Sequence, residues 1–161
     1  MATPEDALEV LRASSGLSVD AEGRFLHRGE VITHERTLAV LWASLFHAPD
    51  GRWRVAIGRE QGDVAVVETP WVVRALEPAA GGGPPILRLA GGRREPLDPA
   101  GLALGDDGVL RCRLSRGEPA RFSRAAQMAL GFALEEDPAG SGCFWLDAGG
   151  SRWPVRGRGR A

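Results

Sequence analysis

The tripeptide Arg-Gly-Glu occurs twice in the chain, at 28–30 and at 116–118, and each copy stands between a strand-like run and a helix-like run. Glycine accepts the positive φ that a tight reversal needs, so each copy is expected to turn the chain before a helix. A glutamate near the start of a helix is stabilised by the positive end of the helix dipole. The pattern therefore predicts one unit of strand, turn, helix and strand that is present twice.

A gap-free alignment of 28–46 with 116–134 supports this duplication. It places Arg36 on Arg124 and Trp42 on Leu130. The matched order of elements favours a true repeat, and chance similarity in a chain rich in Arg and Gly is the alternative. The predicted fold class is α+β, with mostly antiparallel sheets that are each packed with a helix.

Hydrophobic periodicity predicts the individual elements. In the first half it predicts a helix from Thr33, its N-cap, to Phe46, and strands at 24–28, 31–32, 52–57, 63–68 and 71–76. In the second half it predicts a helix at 120–135 and strands at 86–90, 93–97, 109–114, 143–147 and 151–155. The stretch 125–134 has one polar side chain, so the second helix is expected to be buried on all sides.

Composition divides the chain into four predicted segments. The Pro- and Gly-rich run at 78–85 cannot hold a regular element and is the candidate linker. The predicted segments are an N-terminal helical segment at 1–18, a first repeat domain at 19–80, a second repeat domain at 81–156 and a disordered basic tail at 157–161.

Charge and composition exclude several classes of protein. The chain has 161 residues and a net charge of −1, which argues against a generic nucleic-acid or membrane-surface protein. The N-terminus is acidic and no apolar run approaches the roughly 20 residues that span a bilayer, which predicts a cytoplasmic protein. Cys112 and Cys143 lie in apolar alternating runs and are expected to be buried, reduced and inert.

No sequence motif predicts catalysis, a metal or a cofactor. His27, His34 and His47 lack zinc-type spacing, and neither a nucleophile elbow nor a phosphate-binding glycine loop occurs. We therefore expect a protein that is not an enzyme. All 20 basic residues are Arg, so an Arg here is weaker evidence for anion recognition than it is in a chain that also uses Lys.

Several motifs occur in an order that is typical of one bacterial family. They are the run Gly-Arg-Phe-Leu-His-Arg-Gly-Glu-Val-Ile at 23–32, Asp-Gly-Arg-Trp at 50–53, Val-Glu-Thr-Pro-Trp at 67–71, a late helix at 116–124 and a last strand at 149–155. Over 20–155 the chain resembles the family known as domain of unknown function 1285. The resemblance implies a duplicated two-domain fold, a second half like a pleckstrin-homology barrel, a nucleotide-like ligand at the domain interface and an association with signalling.

The chain departs from the pattern of that family at three places. Thr69 stands where the family has Asp, and Gln61 stands where it has Lys. The predicted helix at 1–18 stands where relatives have a segment containing Pro and Trp. If the Asp and the Lys of relatives hold a ligand, the site in this chain is altered.

The sequence and the resemblance together predict a regulatory protein that binds a small anionic, nucleotide-like ligand between its two halves. In this prediction arginines bind the anion, Glu68 orients an arginine and Trp71 offers a stacking face. The candidate residues are His27, Arg28, Glu30, Arg36, Glu68, Trp71, Arg116 and Arg124. The alternative is a protein–protein interaction module that binds through a sheet edge or an apolar groove.

Overall fold

The computed structural model describes residues 16–148 and 150–157, and the chain divides into two compact units, Met1–Pro70 and Trp71–Ala161. The first unit holds one helix and six strands in its described part. They are β1 (Leu17–Val19), β2 (Phe25–His27), β3 (Glu30–Val31), α1 (Glu35–Ser44), β4 (Leu45–His47), β5 (Trp53–Ile57) and β6 (Glu60–Val66). The strands form one sheet in the order β3-β2-β1-β6-β5-β4, with β1 and β6 parallel and the other neighbours antiparallel.

The apolar face of α1 covers one side of this sheet. Leu41 is fully buried, and it packs in one cluster with Val19, Phe25 and Val55 from the strands. The predicted first helix is thereby confirmed, although it ends at Ser44 rather than at Phe46. The N-cap is His34 rather than the predicted Thr33, because the His34 ring accepts the hydrogen bond of the Thr37 backbone N–H.

The second unit is built from one helix and nine strands in its described part. They are β7 (Val72–Glu77), β8 (Ile86–Leu89), β9 (Arg94–Pro96), β10 (Ala103–Leu104), β11 (Leu110–Arg113), β12 (Pro119–Phe122), α2 (Arg124–Gly131), β13 (Leu134–Glu136), β14 (Phe144–Ala148) and β15 (Ser151–Gly157). The sheet order is β13-β14-β15-β10-β11-β12-β7-β8-β9. The pairs β10–β15 and β7–β12 are parallel, and the rest are antiparallel.

The strand order of the first unit recurs inside the second. The order β12-β11-β10-β15-β14-β13 repeats β3-β2-β1-β6-β5-β4, and the one parallel pair of the first sheet, β1–β6, corresponds to β10–β15. In both copies a hairpin leads into a helix and then into an antiparallel pair of strands. The predicted duplication and the α+β class are confirmed, and β7, β8 and β9 extend the second sheet beyond the repeat.

The register of the two copies differs from the gap-free alignment. The helices begin at Glu35 and at Arg124, so Glu35 rather than Arg36 is the counterpart of Arg124. Leu130 then corresponds to Leu41 rather than to Trp42, and both leucines are buried in the cores of their units. The Arg-Gly-Glu tripeptides therefore lie at the turns of corresponding hairpins, but the alignment is one residue out of step at the helices.

The predicted helix at 120–135 is wrong at its start. Residues 119–122 form β12, in which Ala120 and Phe122 are buried and alternate with Pro119 and Arg121. Ser123 is the N-cap of α2, because its hydroxyl accepts the Ala126 N–H at 3.2 Å. When a strand runs directly into a helix, its apolar residues follow the strand period first and the helical period afterwards. The prediction applied the helical period to both parts.

The prediction that the second helix is buried on all sides is also wrong. Within α2 only Ala126 and Leu130 are buried. Met128 is 61% exposed, and Phe132, which follows the last turn, is 91% exposed. The helix is therefore covered on one face, as α1 is, and its outer face is apolar as well.

The ends and the linker differ from the predicted segments. Residues 1–15, which hold most of the predicted N-terminal helix, lie outside the described residues, and Leu17–Val19 is a strand. The run 78–85 connects the paired strands β7 and β8 within the second unit, and Ala80–Gly82 forms a 3-10 turn. Of the predicted tail, Gly157 belongs to β15 and 158–161 lie outside the described residues.

Candidate functional site

The first Arg-Gly-Glu turn closes a hairpin through a two-residue loop. His27 and Glu30 are paired across β2 and β3, so Arg28 and Gly29 form the loop. Both have positive φ, at 50° and 82°, which is the backbone of a type I′ turn. The Arg28 N–H donates to the Gly16 carbonyl at 2.8 Å, which fixes the loop against the start of β1.

Arg28 occupies an unfavourable backbone conformation. A left-handed conformation costs a residue with a Cβ atom roughly 1–2 kcal/mol, which is why Asn or Gly usually takes this position of the turn. Among the described residues, Glu68 is the other non-glycine residue with positive φ. The Arg28 side chain is exposed to solvent, so burial of apolar surface does not offset this cost.

His27 lies beside Arg28, on the face of the sheet that carries the core. Its cross-strand neighbour on β1 is the buried Leu17, and the His27 side chain is half-buried. The Nε2 atom is buried and has no hydrogen-bond partner among the described residues. A buried ring nitrogen without a partner costs free energy, so His27, like Trp153 with its buried Nε1 atom, is a polar group whose place the packing alone does not explain.

The second turn has the same tripeptide and a different geometry. Leu114 N–H donates to the Glu118 carbonyl at 2.9 Å and Gly117 N–H donates to the Leu114 carbonyl at 2.8 Å, so the loop has three residues, Ser115, Arg116 and Gly117. Gly117 takes the positive φ, at 85°, and Arg116 does not. This is the three-residue hairpin in which glycine alone adopts the left-handed conformation.

Glu118 of the second turn is held by Arg93, which is not among the residues that the sequence predicts for the site. The Arg93 guanidinium donates to both carboxylate oxygens of Glu118, at 3.0 and 3.3 Å. The same group forms an ion pair with Glu95 at 2.7 Å and lies over the Trp71 ring, 5.3 Å from its centroid. One face of the predicted stacking residue Trp71 is therefore already covered.

The charges of this network are mutually satisfied. The Glu95 carboxylate also accepts the Ser115 backbone N–H at 2.6 Å and the Ser115 hydroxyl at 3.2 Å. The hydrogen bonds that Arg93 donates to Glu118 hold the pKa of the Glu118 carboxyl below its usual value, and the same bonds raise the pKa of Arg93. The network around the second turn is built to hold β9 and the hairpin together.

Glu68 lies in a three-residue turn directly after β6. The Thr69 N–H donates to the Val67 carbonyl at 2.8 Å, and Glu68 between them has a φ of 65°. A turn of this kind with positive φ is rare and strained. Glu68 is exposed, whereas Thr69, at the position of the family's Asp, is buried.

The sheet register separates Glu68 from the first turn. Arg28 is bonded to Gly16, before β1, whereas Glu68 follows Val66, which pairs with the last residue of β1, Val19. The two side chains therefore start from opposite ends of β1, at least about 10 Å apart at 3.3 Å per residue.

The remaining candidates are spread over both units. Arg36 is exposed on α1, Arg116 is exposed in the second turn, and Arg124 is exposed at the first position of α2. The structure thus brings together His27, Arg28 and Glu30 in the first unit, and it connects Trp71 with Glu118 through Arg93 in the second.

Arg93 and Glu95 are partners of the second turn that the sequence does not predict. Both lie in the charged run that includes β9, and such a run is typical of a strand that is exposed to solvent. Their role follows from the contacts between distant segments, since Glu118 lies 25 positions after Arg93. Local spacing holds no signal for a pairing of this kind.

The two cysteines differ in their surroundings, and the prediction that both are buried is wrong for one of them. Cys112 is buried on β11, and this burial raises the pKa of its thiol to about 12. Cys143 is exposed. It lies just before β14, outside the alternating run in which the sequence analysis placed it.

The duplication shows what the fold requires at the position of His27. In the first unit, Ser18 of β1 pairs with Leu26 of β2 and with Ala65 of β6. In the second unit, Ala103 of β10 pairs in the same way with Arg111 of β11 and with Arg156 of β15. The residue after Leu26 is His27 and the residue after Arg111 is Cys112, so the two are equivalent. The second copy meets the packing requirement there with a small buried thiol, whereas the first carries an imidazole with an unpaired nitrogen.

Comparison with solved structures places this fold beside two crystal structures. A DUF1285 family protein from Shewanella baltica OS155 aligns with a TM-score of 0.55 and 18% identity, over 73% of this chain and 91% of that one. A DUF1285 family protein from Silicibacter pomeroyi DSS-3 aligns with a TM-score of 0.59 and 17% identity, over 88% of this chain and 79% of that one. Both are proteins of the family that the motif order resembles, and the likeness in fold to that family is confirmed.

No protein-family model and no curated protein sequence matches the chain. In the ranges 16–148 and 150–157, no helix is long and apolar enough to cross a membrane.

Proposed function

We propose that the protein is a non-enzymatic regulatory protein that binds a small anionic, nucleotide-like ligand at the first Arg-Gly-Glu turn. The observation that carries this proposal is the pairing of two unfavourable features in neighbouring residues. His27 has a buried Nε2 atom without a hydrogen-bond partner, and Arg28 has a left-handed backbone. Local strain and unsatisfied polar groups that persist in a fold are typical of binding sites.

The chemistry of the two side chains fits an anionic oxygen. A guanidinium donates to phosphate or carboxylate oxygens in a fixed fork, and an imidazole Nε2–H supplies one further donor from a buried position. Hydrogen bonds to a charged group contribute about 1.5–3 kcal/mol each, more than neutral ones. A phosphate group is the anion that this pair of donors suits best, because its several oxygens accept from two directions at once.

The second copy of the repeat supports the assignment to the first turn. Its equivalent hairpin has Cys112 in place of the imidazole and holds Arg116 without a left-handed backbone. The fold can therefore be built without either feature of the first turn. Glu118 is engaged by Arg93 in the second turn, whereas Glu30 in the first turn is exposed.

Calorimetric titration tests the proposal with inorganic phosphate, AMP and ATP as probes. We expect binding by the wild type and at least about a tenfold loss of affinity in Arg28→Gly and in His27→Cys, which correspond to one charged hydrogen bond each. Arg116→Gly, at the same place in the second turn, is the matched control and is expected to bind as the wild type does. An absence of binding by all three probes, or an equal loss in the control, would contradict the proposal.

The other predicted residues define how far such a site extends. Arg36→Ala, Glu68→Ala, Trp71→Ala and Arg124→Ala are the variants to titrate beside the first two. We expect smaller losses of affinity than in Arg28→Gly. These four side chains do not lie beside His27 as Arg28 does, and none of them has a buried atom like His27 Nε2. A larger loss in one of them would move the centre of the proposed site to that residue.

A further inference from the structure

We infer that the outer face of α2 is a contact surface through which two copies of this chain associate. Four apolar residues form a stripe along this face, Ala125, Met128, Ala129 and Phe132, and all four are exposed. Their spacing is that of one helical face, and it extends to Phe132 because this C-cap residue keeps helical backbone angles, with φ −67° and ψ −21°. We call these four residues the α2 stripe.

The repeat shows that the α2 stripe is not needed for folding. The equivalent positions of α1 are Arg36, Ala39, Val40 and Ala43, so the first helix has no large apolar side chain fully exposed at these places. In α2 the core is contacted by Ala126 and Leu130, which lie on the opposite face. Exposed apolar residues that are gathered on one face mark an interaction surface.

The α2 stripe is complementary in size to itself when two copies run antiparallel. A two-fold axis between Met128 and Ala129 places each Met128 against the Ala129 of the other copy. The same axis places each Phe132 against the other Ala125. Both large side chains then meet small ones, which is the arrangement that an isologous interface between identical surfaces requires.

The charges at the two ends of α2 favour the same arrangement. Arg124 begins the helix, and the exposed Glu136 follows its end, whereas its neighbour Glu135 is already paired with Arg152 at 2.6 Å. Each charge interacts unfavourably with the dipole of its own helix, because the dipole favours anions at the start of a helix and cations at its end. In an antiparallel pair, Arg124 of each copy approaches the acidic end of the other, so these charges attract.

The small size of the stripe predicts a weak association. A stable dimer buries about 800 Å² on each partner, and four residues on a two-turn helix provide less. We therefore expect a monomer–dimer equilibrium that is visible over the range of about 1 μM to 1 mM and shifts with protein concentration.

Sedimentation velocity across this concentration range tests the inference. We expect the wild type to shift toward the mass of a dimer, and Phe132→Asp to raise the dissociation constant at least about tenfold, since it places a charge against Ala125. Ala43→Asp introduces the same charge at the equivalent position of α1 and is the matched control, which should associate as the wild type does. A wild type that stays monomeric throughout, or an unchanged equilibrium in Phe132→Asp, overturns the inference.

An exchange of large and small residues tests the proposed register. Ala125→Phe alone should weaken association at least about tenfold, because two Phe side chains then meet. The double variant Ala125→Phe with Phe132→Ala restores one large and one small residue in each contact and should recover most of the wild-type affinity. Circular dichroism and thermal unfolding of each variant establish that the fold is retained. If the double variant associates no better than Ala125→Phe, the antiparallel register is wrong.

Discussion

The two Arg-Gly-Glu turns have the same sequence and different structures. In the first, a two-residue loop puts Arg28 into the left-handed region, whereas the second uses a three-residue loop and leaves this conformation to Gly117. The difference lies in the strand pairing, since three residues separate the bonded positions Leu114 and Glu118, whereas two separate the paired positions His27 and Glu30. A tripeptide therefore specifies that the chain turns, and the register of the flanking strands decides which residue bears the strain.

The same comparison separates a structural turn from a candidate binding turn. Glu118 is fixed by Arg93 and Glu95 is fixed by Ser115, so the second turn is tied to β9 by satisfied charges. The first turn holds an exposed Arg28 and a His27 whose Nε2 atom has no partner among the described residues. The second copy also holds a buried atom without a hydrogen-bond partner, Trp153 Nε1, so the combination of such an atom with the left-handed Arg28 is what makes the first turn the better candidate for function.

Truncation of the equivalent core leucines is expected to have the largest effect on stability. Leu41→Ala and Leu130→Ala each remove a buried side chain from the corresponding place in one unit, and we expect each to lower the free energy of unfolding by about 2–5 kcal/mol. Urea denaturation of each variant measures the loss. Met128→Ala, on the exposed face of α2, is the control and should change stability by about 0.5 kcal/mol or less. A near-neutral Leu130→Ala would break the proposed equivalence of the helices.

Removal of the two turn glutamates should have unequal effects. Glu118→Ala takes a partner from Arg93 in a half-buried network, and we expect a loss of about 1–2 kcal/mol at neutral pH. Glu30→Ala removes an exposed side chain and should cost about 0.5 kcal/mol or less. The measurement is urea denaturation, and equal losses in the two variants would contradict the distinction between the turns.

Acid should abolish the difference between wild type and Glu118→Ala. The folded pKa of Glu118 is lowered by Arg93, so its stabilising contribution is complete above the unfolded pKa of about 4.3 and is lost as the pH falls through the lower folded pKa. The free energies of unfolding of the two proteins should therefore converge as the pH falls below about 4. A difference that persists unchanged in acid would mean that packing, and not charge, gives Glu118 its effect.

Glycine substitutions at the two turn arginines should change stability in opposite directions. Arg28→Gly relieves a left-handed backbone, and we expect stabilisation of up to about 1 kcal/mol, because the gain of roughly 1–2 kcal/mol is reduced by the greater freedom of unfolded glycine. Arg116→Gly relieves no such strain and should destabilise by about 0.5–1 kcal/mol. Thermal unfolding measures both, and a loss of stability in Arg28→Gly would show that the strain is compensated by contacts of the side chain.

The sequence was sufficient for the repeat but not for its register. Element order and the first helix follow from local periodicity, which a single chain displays directly. The misplacement of Leu130 against Trp42 arose because the hairpins differ in length, and hairpin length is set by pairing between strands. The three-residue β1 was missed for a similar reason, since only its partners β2 and β6 define it as a strand.

The candidate site was predictable in part. The tripeptide identified the first turn, and its neighbour His27 was selected for its position alone. Neither the left-handed Arg28 nor the unpaired Nε2 atom is visible in a sequence, because both depend on how β1, β2 and β3 come together. The exposure of Met128 and Phe132 was missed because an apolar residue on an interaction surface and one in a core have the same side chain.

Thiol reactivity compares the solvent access of the equivalent positions 27 and 112 in the two hairpins, with little effect on stability. At pH 8 a thiol with a pKa near 12 is ionised to about one part in ten thousand, and the thiolate is the reactive form, so native Cys112 should not react. We expect an aromatic disulfide reagent to titrate one thiol in the native wild type, Cys143, none in Cys143→Ser, and two in the denatured wild type. In the Cys143→Ser background, His27→Cys places a thiol at the half-buried counterpart of Cys112, and it should react faster than Cys112 does. If the new thiol is as inert as Cys112, the first hairpin shields this position as fully as the second, and a ligand could not reach it.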